Sequence, residues 1–110
     1  MSQVGEIPAP EELTHYLRTF SGSAQEKGEL CFRQDRVRGV HAVVPGSIYE
    51  STVQGNSLYL VRLFYRKDSK SWIGECGCPV AAKCKHVYAS GKALLAENNV
   101  ALVNGLVTGA

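Results

Sequence analysis

Residues Ser57 to Cys78 read SLYLVRLFYRKDSKSWIGECGC. Side chains alternate sides along a strand, so Tyr59, Val61, Leu63 and Tyr65 share one face and Leu58, Leu60, Arg62 and Phe64 the other. Both faces carry apolar groups, which predicts that helices or loops cover part of the second face as well as the first. The polar run Lys67-Asp68-Ser69-Lys70 breaks the pattern, and SWIGEC resumes it, as two strands joined by a turn would. The second strand runs straight into a pair of cysteines.

Upstream, GVHAVV from Gly39 and SIYESTVQG from Ser47 show the same period of two and are rich in β-branched and aromatic residues. Pro45-Gly46 and Gly55-Asn56-Ser57 punctuate them, so the region reads as an antiparallel meander of about four strands. Before it, PEELTHYLRTF places Leu13, Tyr16, Leu17 and Phe20 on one helical face behind Pro10 and early glutamates. A second helix is expected over Ala24 to Gln34, with Ala24, Gly28, Cys31 and Phe32 toward the core, although Gly28 costs about 1 kcal/mol in a helix interior. After Pro79 a third helix is expected from Ala82 to Asn98, carrying Val87, Tyr88, Gly91, Leu94 and Leu95 at helical spacing, with Asn98-Asn99 as its stop. The fold class is therefore α+β: a small antiparallel sheet with N-terminal helices and a C-terminal helix behind a cysteine-rich loop. By segment, residues 1–22 read as an irregular leader and short helix, 23–98 as the domain that holds the second helix, the sheet, the cysteine-rich loop and the third helix, and 99–110 as a tail, a short helix or a linker.

With 110 residues the chain has room for one core. Twelve Lys+Arg against ten Asp+Glu give a formal charge of +2, without the strong basic excess of an extended duplex binder. The N-terminus lacks the basic start and apolar run of a secretory signal, and no stretch has the length of a membrane helix. A cytoplasmic location is expected, where cysteines are more often metal ligands or free thiols than disulfides.

Spacing makes the cysteines informative. Cys76-Gly-Cys78-Pro-Val-Ala-Ala-Lys-Cys84-Lys-His86 is C-x-C-x5-C-x-H, three thiols and one imidazole beside each other in the chain. Gly77 and Pro79 favour a sharp turn after the strand, which would let Cys76 and Cys78 approach one ion. Residues two apart do not share a helical face, so Cys84 is expected just before the third helix and His86 inside it. Three thiolates and one histidine suit a single structural Zn²⁺; redox chemistry, another metal and an iron–sulfur cluster remain as alternatives, the last disfavoured by the spacing. Four protein ligands leave no open position for an activated water, so no catalytic residue is assigned and no enzyme is expected. No phosphate-cradling glycine motif or free Cys–His pair points to a small-molecule substrate either. Cys31 reads as a small core side chain, His15 and His41 as surface or boundary residues, and Trp72 as packing either over the cluster or in the core.

The run Trp72…Cys76-Gly-Cys78-Pro79…Cys84-Lys-His86-Val87 resembles the SWIM zinc-finger family, whose pattern is C-x-C-x(n)-C-x-H followed by an apolar helix. Its four ligands fall on Cys76, Cys78, Cys84 and His86, and its frequent proline on Pro79. Upstream, KGELCFRQDRV looks like the segment R-G-x-x-Y-Y-x-x-G-x-V that precedes the finger in bacterial proteins related to the SWI2/SNF2 ATPases. Here Lys27 replaces the arginine, Cys31 and Phe32 the aromatic pair, and Asp35 the glycine. The resemblance spans Lys27 to Leu95 and implies a DNA- or protein-binding module, accessory to an SNF2-type ATPase whose own motifs this chain lacks. On the nucleic-acid reading, Lys83, Lys85 and Lys92 beside the loop would contact phosphates, joined by Arg62, Arg66, Lys67 and Lys70. On the protein reading, the outer sheet face or the 100–110 segment would supply apolar surface. Neither a membrane nor a small molecule is expected as partner.

Overall fold

The computed structural model describes residues 4–79 and 83–109, with side chains through Asn98. Its elements are α1 (Pro10–Arg18), α2 (Gly22–Arg33), β1 (Val37–Val44), β2 (Ile48–Gln54), β3 (Leu58–Arg66), β4 (Ser71–Cys76) and α3 (Lys85–Gly109). The strands form one antiparallel sheet in the order β1-β2-β3-β4, a meander as expected.

Local chemistry accounts for the helices. In α1, Pro10 opens the first turn, Glu11 and Glu12 sit at its positive end, and Leu13 and Leu17 are buried. α2 starts behind Ser21, whose Oγ accepts the Ala24 N–H at 3.1 Å. Gly28 then lets α2 lie directly on α3: a Cβ there would stand 2.8 Å from the Lys85 carbonyl oxygen and 2.6 Å from Tyr88 Cδ1. The helix-interior glycine thus marks a close approach of two helices.

The core fills one side of the sheet. Tyr49 and Val53 of β2, Val61 and Leu63 of β3 and Trp72 of β4 pack under Leu13, Leu17, Val87 and Leu94. Trp72 is a core residue, 2% exposed, between the rings of Tyr49 and Tyr65, and its Nε1–H donates to the Ala9 carbonyl at 3.2 Å. Polar groups on this side pair across elements: buried Ser51 with Ser90 (2.8 Å), and the part-buried Gly74 N–H with the Tyr16 hydroxyl (2.9 Å).

Two expectations are corrected. The second sheet face is open: Val44, Ile48, Phe64 and Ile73 pair in one row across all four strands, and Val44, Ile73, Leu58 and Leu60 are exposed. The N-terminal segment is irregular in backbone, as expected, and Val4 and Ile7 are buried in the core. Finally, α3 does not stop at Asn98-Asn99. Asn98 is buried, and its Oδ1 accepts the Ile7 N–H at 2.9 Å, so its amide serves a tertiary contact instead of breaking the helix. The side chains of the 100–110 segment, a candidate docking surface, lie outside the described residues, as do Val80, Ala81 and Ala82, where the start of the third helix was expected.

Candidate metal centre

β4 ends at Cys76, opposite Val61 of β3. The chain leaves the sheet there, so the next inward residue of β3, Tyr59, has no β4 partner, and the His86 ring stacks on it at 4.6 Å between centroids. Lys83 takes a left-handed backbone conformation (φ 48°) just before Cys84, and the Tyr88 N–H donates to the Cys84 carbonyl at 3.1 Å. Cys84 therefore precedes α3 and His86 lies in its first turn, which is how residues two apart in sequence reach the same point. Gly77 is not in a left-handed conformation, and a side chain there would meet nothing. The freedom expected of Gly77 is not used.

One donor atom from each of Cys76, Cys78, Cys84 and His86 falls within 4.8 Å of the others, and all four residues are buried. His86 Nδ1 stands 3.7 Å from Cys76 Sγ and 3.9 Å from Cys84 Sγ. A tetrahedral Zn²⁺ with bonds of about 2.3 Å to sulfur and 2.0–2.1 Å to nitrogen places such donors about 3.5–3.8 Å apart. The donor set fits one metal ion bound through Nδ1, in a cluster able to hold it and closed by four ligands.

Electrostatics agrees with the fit. Burial pushes the Cys76 thiol up to about 12, against an opposing hydrogen bond from the Cys78 N–H. Cys84 is raised as well, first by burial, with the Val87 N–H pulling the other way. Burial and then the Lys85 charge hold His86 below its ordinary value, so the imidazole is neutral and free to ligate. Thiols that are uncharged alone and amides already aimed at sulfur form a site that a divalent cation completes.

The remaining candidates scatter. Lys83 and Lys85 are exposed beside the loop, but Lys92 is engaged with Glu29 of α2 (3.4 Å) and Arg62 with Glu50 on the open sheet face (2.7 Å). Arg66, Lys67 and Lys70 lie at the far end of the β3–β4 hairpin. His15 is exposed, His41 faces Glu50 at 3.5 Å, and Cys31 is half-buried. Lys27 was not foreseen as a site residue. It lines a cavity of about 400 Å³ over the metal loop together with Lys83, Lys85 and Tyr59. Its sequence signal was Gly28 beside it, the residue that brings α2 against the first turn of α3.

The fold and cluster define the class: an α+β protein with a Cys3His metal-binding loop between a sheet and its C-terminal helix. Comparison with protein-family models, with curated proteins and with solved structures gives no match. No helix among the described residues is long and apolar enough to cross a membrane.

Proposed function

We propose that this chain is a non-catalytic interaction module of the SWIM type, built on one structural Zn²⁺, which binds the nucleic-acid backbone through Lys27, Lys83 and Lys85 and serves an SNF2-type ATPase in the cytoplasm. The observation that carries the reading is the gathering of these three lysines around one cavity on the metal loop, none of them in an ion pair among the described residues. A metal-braced loop and a helix start hold them in place, so phosphates can be neutralised at little ordering cost. The SWIM assignment has a further support at Asp35. It stands where the related segment carries glycine, and its φ of 58° is the left-handed conformation that glycine adopts freely.

Three phosphate contacts give a slope of log affinity against log salt of about −2 on single strands and −3 on duplex. Titration of labelled DNA at several salt concentrations tests this: Lys27→Ala, Lys83→Ala and Lys85→Ala should each lower the slope by about one and weaken unrelated sequences equally. Saturating DNA that shifts no amide resonance from Lys83 to Tyr88 would rule the reading out.

A second reading, protein docking, is favoured by the open sheet face, where Val44, Ile48, Phe64 and Ile73 form an apolar row beside the paired charges of Glu50 and Arg62. Loss of a partner on Ile73→Lys, with DNA binding intact, would favour it.

A further inference from the structure

His86 faces two ways. Its Nδ1 lies toward the thiols, while Nε2 exposes less than 1 Å² and has no hydrogen-bond partner. Once a metal holds Nδ1, the ring's remaining proton sits on Nε2, which becomes a fixed donor polarised by the cation. Metal-bound histidines almost always give that proton to an acceptor, and here no described protein atom supplies one.

Next to it, between α2 and the β2–β3 turn, is a cavity of about 270 Å³ with His86, Gly55 and Asn56 in its wall. Gly55 lies against the orphaned atom, for a Cβ there would stand 3.0 Å from Nε2. Lys27, Arg36 and Lys85 line the same cavity, and no aspartate or glutamate does. None of the three cations is in an ion pair among the described residues. Arg36 is already oriented, its Nε donating to Gln34 Oε1 at 2.8 Å and its Nη1 to the Gln54 carbonyl at 3.5 Å.

We infer that this cavity is a binding site for a phosphate group, with Lys27, Arg36 and Lys85 neutralising it and His86 Nε2–H donating to it directly or through one water. A phosphate monoester carries close to two negative charges and three free acceptor oxygens, which suits three cations and a fixed N–H better than a carboxylate with two oxygens. Direct contact requires the Gly55-Asn56 turn to yield slightly; a bridging water does not. The inference rests on the zinc reading, because only a metal on Nδ1 fixes the proton at Nε2. The phosphate could be the end of a nucleic-acid strand or a free small phosphate, and the chemistry of the site is the same for both.

The test is a titration of the zinc-loaded chain, ¹⁵N-labelled, with inorganic phosphate, with a 5′-phosphorylated single strand and with the same strand lacking that phosphate. The His86 ring resonances and the amides of Gly55 and Asn56 should shift saturably with inorganic phosphate. Arg36→Gln and Lys85→Gln, both at exposed positions that leave the metal ligands in place, should each weaken binding about tenfold. Preference for the phosphorylated strand would assign the site to nucleic-acid ends, and a response to inorganic phosphate with none at His86 to either strand would assign it to free phosphate. Zinc content measured on every sample separates the failures. One zinc per chain with no shift at His86, or a shift unchanged in Arg36→Gln/Lys85→Gln, overturns the phosphate site and leaves the metal centre standing; absence of zinc overturns both.

Discussion

Cys78 and Cys31 are the same residue type in different chemical settings. Cys78 is buried within the metal-binding cluster, whereas Cys31 is a half-buried side chain of α2. Cys78→Ser and His86→Ala should each lower stability by about 3 kcal/mol or more by opening the metal shell, while Cys31→Ser should cost under about 1 kcal/mol. Thermal melts of the zinc-loaded variants check this, and equal shifts for Cys31→Ser and Cys78→Ser would contradict the assignment. Glycine offers a second contrast at this scale. In an open helical position alanine gains up to about 1 kcal/mol over glycine, which is the expectation for Gly22→Ala at the start of α2, where a Cβ meets nothing. At Gly28 the same change drives a methyl into Tyr88 and the Lys85 carbonyl, and the overpacking cost of about 1–3 kcal/mol exceeds the propensity gain. Denaturant unfolding of the two variants should move in opposite directions.

The element most dependent on the metal is the first turn of α3. Its N–H groups at Val87 and Tyr88 are directed at the Cys84 thiol and the Cys84 carbonyl, so the turn is tied to a ligand. Chelation leaves buried thiols with no ion to hold them together, and the loop and that turn should open first. Hydrogen exchange should show Tyr88 and Ala89 losing protection on chelation while Tyr49 to Val53 in the middle of the sheet keep theirs. Uniform loss of protection across both would mean that metal and core form one cooperative unit.

For the whole molecule, metal binding is linked to pH. With Cys76 pushed up to about 12 and Cys84 also raised, these two thiols are protonated at neutral pH without metal, and each must lose its proton to ligate. At least two protons should therefore leave per zinc near pH 7, and zinc affinity should fall as pH falls. His86, held below its ordinary value, adds a further proton only at still lower pH, where the imidazole charges. Calorimetry in buffers of different ionisation enthalpy measures the released protons; a count near zero at pH 7 would show thiolates already present without metal. The fold restrains the rest of the molecule less. One sheet face is covered by α1 and α3 packing, and the other is left open, so the surface offers a basic side near the metal and an apolar side away from it.

The meander and the Cys3His cluster were legible in the sequence because both depend on neighbours in the chain. Period-two patterning, Pro-Gly and Gly-Asn turns and the C-x-C-x5-C-x-H spacing are local signals, and the structure places all four donor atoms together. What the tertiary structure alone decided depends on residues far apart in sequence. The packing of Val4 and Ile7, the use of Asn98 as a contact rather than a stop, and the bare second face follow from which surfaces the helices choose. The same holds for the basic cluster. Lys92 and Arg62 are drawn into ion pairs by Glu29 and Glu50, whereas Lys27 joins Lys85 because Gly28 lets two helices touch. Charge and hydrophobicity are properties of a residue, but whether a lysine is free to meet a phosphate is set by the partner that folding places beside it.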